Sequence, residues 1–162
     1  MYKFIMICLL LVSIVQSDDS KNNDFDNDLV PNYMDKCPNT PEGVFVTLDG
    51  CTKEIYRDVY FDHGTASISD KYYDFILETA ELIYELPGYK VYIKGHTDSI
   101  ASAKINMELS KRRVLAVRKI LTDNKVDKNK IKISWYGETM PVSTNITAVG
   151  RSENRRVNII LK

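Results

Sequence analysis

The chain has 162 residues, 44% of them apolar, with 22 Lys and Arg against 22 Asp and Glu. That length suits one domain with short appendages, and the apolar share is enough for a real core. A formal net charge of zero excludes bulk electrostatic attraction to nucleic acid or to an anionic membrane. The charges are nevertheless segregated. Residues 18–35 are acidic, and residues 104–132 are rich in Lys and Arg.

After Met1-Tyr2-Lys3 comes an apolar run from Phe4 to Val15, then Val15-Gln16-Ser17. The run is too short for a spanning helix, which needs about 20 residues. Small residues at the two positions a signal peptidase reads predict a secretory signal, residues 1–17, cleaved after Ser17. Cys8 would leave with it. Cys37 and Cys51 remain, and an even count in an oxidising compartment predicts one disulfide. It would close a loop of about 15 residues, worth roughly 3 kcal/mol on the chain-entropy account.

Residues 18–52 read as a polar, irregular segment carrying the disulfide loop, which Pro38, Pro41, Gly43 and Gly50 punctuate, with a short strand at Val44–Val46. From residue 53 the pattern becomes regular. Ile55–Phe61 alternates as a strand. Ser69 can cap a helix over about Asp70–Glu85, whose Tyr72, Phe75, Ile76, Thr79, Leu82 and Ile83 keep helical spacing; Pro87-Gly88 ends it. Tyr89–Lys94 is a second strand and about Lys104–Asn124 a second helix. Ile131–Tyr136 is a third strand closed by Gly137. After a loop and a turn of helix, Arg156–Leu161 is the last strand. This order predicts an α/β (α+β) fold, a β-α-β-α-β-β sandwich with a mixed sheet packed on two main helices.

On a 100° wheel, Ile105, Leu109, Ala116, Val117 and Ile120 of the second helix share one arc. Arg113 lies near its middle and Asn106 beside it. A guanidinium on an apolar face is costly unless paired. The loop after the second strand, over the helix N-terminus, offers Asp98 as the partner. Two readings stay open. One is a structural Asp98–Arg113 ion pair. The other is a split clamp, with Asp98 accepting from an ammonium and Arg113 gripping a carboxylate bidentately.

Several pieces together resemble the OmpA-like peptidoglycan-binding domain: Val59-Tyr60-Phe61-Asp62, Ile93-Lys94-Gly95-His96-Thr97-Asp98, Asn106, Leu109-Ser110 with Arg112-Arg113, Tyr136-Gly137-Glu138 with Pro141, Asn145, Gly150-Arg151, and Asn154-Arg155-Arg156-Val157. The resemblance spans residues 53–162. It implies non-covalent binding of the wall's stem peptide through the amphoteric end of diaminopimelate. Asp98 and Arg113 would hold that group, Asn106 and Arg155 would line the site, and Thr97 would shape it. The chain departs from the family at Phe61-Asp62-His63-Gly64 and at Ser99-Ile100-Ala101-Ser102, where a glycine is usual.

Asp24, Asp26, Asp28, Asn32 and Asp35 place oxygen-bearing side chains at positions 1, 3, 5, 9 and 12 of a calcium loop. The stretch resembles a thrombospondin type 3 repeat, although Leu29 stands at the usual glycine and Asp35 at the usual glutamate. It also reads as a solvated acidic linker, and both readings stay open. No cofactor is otherwise called for.

Other function classes fit less well. His63, His96, Asp62 and Asp98 can be drawn as a metal or acid–base site, but the two histidines end different strands, and catalysis is not expected. Nucleic acid is not expected as a partner of an exported chain lacking a stacking aromatic pair. An envelope scaffold or stator module using the same fold without wall binding is the alternative; its partner would be a separate chain, such as an outer-membrane protein. The reading adopted is a periplasmic, outer-membrane-associated protein whose partner is peptidoglycan.

Overall fold

The computed structural model describes residues 23–162; the expected signal segment lies outside them. Seven regular elements follow in order: β1 (Ile55–Tyr60), α1 (Asp70–Glu85), β2 (Val91–Gly95), α2 (Ala103–Asp123), β3 (Ile131–Trp135), α3 (Ala148–Asn154) and β4 (Arg156–Leu161). The expected strands and helices agree with these to within two residues at each end. The expected single turn before β4 is a seven-residue helix, α3. The short strand expected at 44–46 is reduced to one bridge, Val46 to Thr52.

The sheet order is β1-β4-β2-β3. The last strand enters the centre, antiparallel to β1 and β2, while β2 and β3 run parallel. A central strand must be apolar where the helices cover it. Val157, Ile159 and Leu161 of β4 are all 0% exposed, each worth roughly 1.5–3 kcal/mol of burial. They meet Val59, Val91 and Ile93 from the neighbouring strands, and Ile76, Ile83, Val114, Val117 and Leu121 from α1 and α2.

The face α2 turns inward is rotated slightly from expectation. Leu109 and Val117 are buried, but so are Asn106, Ser110 and Val114, whereas Ile105 is 57% exposed. Gly95 explains the close approach of β2. A Cβ there would stand 2.5 Å from the Ser110 carbonyl oxygen, so only glycine lets the strand end press against α2. The residues that follow, His96, Thr97 and Asp98, are thereby carried over the first turns of α2.

Residues 23–54 hold little regular structure and dock onto the domain through Tyr89. Its hydroxyl donates to the Lys53 carbonyl (2.6 Å) and accepts from the Phe45 amide (3.1 Å). Cys37 and Cys51 form the expected disulfide, with Cα atoms 5.0 Å apart.

Candidate functional site

Arg113 is fully buried, 0% exposed, as its place on the wheel demanded. Its partner is not the expected one. Nε donates to the Thr65 carbonyl (2.9 Å), Nη1 to His96 O (2.9 Å) and Nη2 to Asp62 O (3.0 Å). The Phe61 ring lies 4.9 Å from the guanidinium carbon, in cation–π range. Burial pushes the Arg113 pKa down to about 10, which leaves it charged at neutral pH. Asp98 opposes that shift by charge at a distance rather than by direct contact. The expected Asp98–Arg113 ion pair is therefore replaced by a three-carbonyl clasp. It ties the β1–α1 loop and the end of β2 to α2.

Asp98 pairs instead with Arg155. Nη1 of Arg155 stands 3.2 Å from Asp98 Oδ2, and His63 Nδ1 stands 3.3 Å from the same oxygen. Among the described residues the other oxygen meets only the Ile100 amide, at 3.4 Å. Asp98 is 4% exposed. Burial pushes its pKa up, but hydrogen bonds from Arg155 and His63 outweigh that and hold it below the usual carboxylate value. Arg155 also donates through Nε to the Phe61 carbonyl at 3.0 Å. The carboxylate thus sits with one guanidinium in contact and a second sealed behind it.

Asn106 is expected, by the resemblance, to line the ligand site. It is buried, but its amide donates to the Ala101 carbonyl (3.0 Å) and to the Glu138 carboxylate. It fastens the start of α2 to the loop after β3. Thr97 is 1% exposed. Its amide donates to Gly137 O at 2.8 Å, while its hydroxyl has no partner among the described residues.

Three contributors escaped the sequence reading. The sequence singles out His63 as a residue of a possible metal or acid–base site, not as a partner of Asp98. Glu138 stands in the sequence only as part of the Tyr136-Gly137-Glu138 motif, with no role attached. Asn154, 0% exposed, is the brace of the far loop: its oxygen accepts from the Val142 (2.8 Å) and Ser143 (3.0 Å) amides, and its nitrogen donates to Asn145 Oδ1 (3.0 Å). Asn145 in turn accepts from the Ser99 amide at 3.3 Å, linking α3 to the loop after Asp98. No signal in the residue letters marks Asn154, because most of its partners are backbone groups.

The acidic segment brings Asp24, Asp26 and Asp28 together, one carboxylate oxygen from each within 4.8 Å of the others. One oxygen of each holds a backbone amide: Asp24 that of Leu29, Asp28 that of Val30, and Asp26 that of Thr40. The second oxygen of each is buried without a partner among the described residues. Three half-buried carboxylates, each with one buried and unpartnered oxygen, fit a hard divalent cation. Asn32 and Asp35 stand apart from that use in part: the Asn32 oxygen accepts from the Phe25 amide (3.0 Å), and Asp35 Oδ1 accepts from the Cys37 amide (2.7 Å). Asp35 is not in the three-carboxylate group, although its Oδ2 too is buried and unpartnered.

No helix among the described residues is long and apolar enough to cross a membrane. A family profile described as the OmpA family matches residues 60–155, and one described as the thrombospondin type 3 repeat matches residues 18–43. Outer membrane porin F of Pseudomonas aeruginosa is 38% identical over 141 residues, covering 83% of this chain and 40% of the porin. The chain therefore spans less than half the length of that relative. Among solved structures, the peptidoglycan-associated lipoprotein from Burkholderia pseudomallei has a TM-score of 0.63 at 26% identity, covering 65% of this chain and 90% of that one. The C-terminal domain of Helicobacter pylori MotB has a TM-score of 0.62 at 28% identity, covering 65% and 84%. With more than half its length matched, this chain belongs to the OmpA family.

Proposed function

We propose that the protein binds peptidoglycan without covalent chemistry, through the diaminopimelate of the stem peptide, and so ties the cell envelope to the wall. The observation that carries this reading is the Asp98 carboxylate, buried yet held charged, with Arg155 in contact and Arg113 behind. An amphoteric carbon bearing an ammonium and a carboxylate can exchange with that pair. Its ammonium takes the Asp98 oxygen that accepts from the Ile100 amide. Its carboxylate takes Arg155, whose side chain is 17% exposed. One internal ion pair becomes two, so neither charge is stranded. Arg113 is sealed from solvent. A direct grip by it requires the His63–Thr65 loop to swing aside; otherwise it acts through its field and by holding that loop. The kinship to a protein named for peptidoglycan association supports the same reading. Export to the periplasm, at the inner side of the outer membrane, goes with it.

The test is a titration of isotope-labelled protein with meso-diaminopimelate, followed by NMR. Shifts centred on His63, Asp98, Arg155 and the loop after β2 are expected. A stem tetrapeptide with lysine in place of diaminopimelate, whose side chain ends in an ammonium without a carboxylate, should bind far more weakly than the diaminopimelate tetrapeptide. Equal affinity for both would sink the clamp. Retention on wall sacculi should follow the same order, and a pure scaffold would show no such retention.

The acidic segment we assign to calcium, held by Asp24, Asp26 and Asp28 through their unpartnered oxygens, with Asn32 and Asp35 as flanking oxygens. Calcium should raise the melting temperature, and a chelator should reverse it. Magnesium, which demands a tighter octahedron, should do less.

A further inference from the structure

The end of the sheet away from Asp98 carries a charge of its own. β2 and β3 start there and β4 ends there, with Val91 level with Ile131 and Leu161. Lys90 and Lys162 bond to each other through their backbones, at 2.9 and 3.0 Å. Lys132 stands opposite Tyr92, one position further in. The link from α2 to β3 passes the same end and adds Lys125, Lys128 and Lys130. Six lysines thus share one pole of a chain whose formal net charge is zero, and all but the half-buried Lys130 are exposed. β2 is five residues long, so at about 3.3 Å per residue the pole lies at least about 15 Å from the Asp98 site.

The nearby carboxylates do not cancel this charge. Glu54 meets Lys162 at 3.4 Å, Asp123 meets Lys119 at 2.6 Å, and Asp127 accepts from the Asn129 amide at 2.9 Å. Glu42 and Glu85 are the acids of this end without such a partner among the described residues.

Lys125 is a second, independent observation. It follows the Asn124 cap of α2 with φ at 69°. This left-handed residue closes the helix, and the next amide, that of Val126, returns to the Leu121 carbonyl at 3.1 Å. Glycine takes such a position without strain, and lysine does not. The chain therefore keeps a cation where folding alone favours glycine, as strained functional positions do. Two shallow cavities complete the pole. One, of about 220 Å³, lies between Tyr84, Pro87, Lys125 and Lys130. The other, of about 320 Å³, lies between Pro41, Val44, Lys90, Tyr92 and Lys162. Each sets two ammonium groups beside a tyrosine, and Tyr84 is 80% exposed.

Six cations spread over one end, rather than converging on one pocket, match many phosphates on a surface better than a single anion. Tyrosines beside them suit the depth of lipid headgroups, where an aromatic ring meets both apolar and polar surroundings. A single nucleic-acid strand would need a run of stacking rings, and these two tyrosines lie in separate cavities. We propose that the lysine pole docks on the surface of an anionic phospholipid bilayer, which leaves the Asp98 end turned away from the membrane. The docking does not rest on the wall reading, since that reading concerns only what the far end holds.

The chain from residue 18 is the one to test, because the apolar run from Phe4 to Val15 would enter lipid by itself. It is sedimented with vesicles of phosphatidylethanolamine containing about 30% phosphatidylglycerol, and with vesicles of phosphatidylcholine. Retention is expected on the anionic vesicles, and raising the salt from about 0.05 to about 0.3 M should release it. Lys125→Gly should weaken retention about fivefold, and the triple variant that adds Lys90→Gln and Lys128→Gln about 100-fold. Lys125→Gly removes strain, so its melting temperature should hold or rise, and its loss cannot be ascribed to unfolding. Affinity for meso-diaminopimelate should stay unchanged in both variants. Equal retention on phosphatidylcholine, retention that survives salt, or full retention of the triple variant overturns the proposal. So does release by inorganic phosphate at the same phosphorus concentration, which would mark a soluble anion as the ligand. Equal binding of a mixed oligonucleotide overturns it as well, by marking a general polyanion surface. Failure of meso-diaminopimelate to bind while lipid retention persists overturns the wall reading alone.

Discussion

Replacing Arg113 by lysine keeps the charge and loses the fork. In the structure the guanidinium feeds three carbonyls from two directions, with distances of 2.9, 2.9 and 3.0 Å. An ammonium on a flexible stem serves one of them well. Each hydrogen bond to a charged donor is worth about 1.5–3 kcal/mol. Losing two therefore costs about 3–6 kcal/mol, out of a total stability of about 5–15 kcal/mol for a domain. At about 2–4 °C per kcal/mol for a chain of this size, the melting temperature should fall by roughly 10–20 °C. Circular dichroism on heating at pH 7 measures this directly. A drop below about 3 °C would show that the Asp62, Thr65 and His96 carbonyls do not depend on Arg113, and the clasp would be discarded as a structural device. Binding of meso-diaminopimelate measured well below the variant's melt then reports what remains of the site once its loops are loosened.

Asp98→Asn should behave in the opposite way: a melt within a few degrees of wild type, and affinity for meso-diaminopimelate at least about 100-fold weaker, read by calorimetry, because the acceptor for the ammonium loses its charge. The Asp98 carboxyl is held below its ordinary pKa, so binding should persist as pH falls through the usual carboxylate range and fail only below it. His96, 3% exposed, has its pKa pushed down to about 4, first by burial and then by the nearby Arg156 charge. A depressed histidine contributes stability that is complete above pH 6.5 and is lost as pH falls toward 4; urea unfolding should register about 2–3 kcal/mol of it, and His96→Gln should flatten that slope. Leu29 holds φ at 73° and is 91% exposed. Leu29→Gly should relieve about 1–2 kcal/mol of left-handed strain against about 0.5–1 kcal/mol of backbone entropy, tightening calcium about two- to five-fold by titration calorimetry; weaker binding would show that the loop needs no glycine-like turn.

The elements were legible because their patterns were unmixed. Ile55–Tyr60 and Arg156–Leu161 alternate, and α1 keeps a clean apolar stripe. Sheet order was not legible, since nothing local in β4 says that it inserts between β1 and β2. What betrays a centre strand is that Ile160, on the face away from the helices, is also buried at 6%, and that is a tertiary fact. The buried Arg113 was readable from the wheel. Its partners were not, because they are backbone carbonyls and a carbonyl leaves no mark in the residue letters. The wheel could point only to side chains, so it chose Asp98. The same blindness hid Asn154, whose work is done on the amides of Val142 and Ser143. Ser69 shows the converse: the letter predicted a cap, and the hydroxyl is not used for one.

The choice of arginine at 113 links folding to recognition. An apolar residue there would pack as well against Phe61 and spare the desolvation of a charge. It would also leave the carbonyls of residues 65 and 96 without donors among the described residues, and that of residue 62 with the Thr65 amide at 3.5 Å alone. Those carbonyls belong to the two chain segments that deliver His63 and Asp98 to the site. One cation therefore holds both in register against α2, while its remaining field, unmatched by a direct carboxylate, adds positive potential behind Asp98 and Arg155. A site arranged in this way can pair its exposed guanidinium with an internal carboxylate when empty and with a ligand's carboxylate when full, because the sealed guanidinium offsets part of the Asp98 charge in both states.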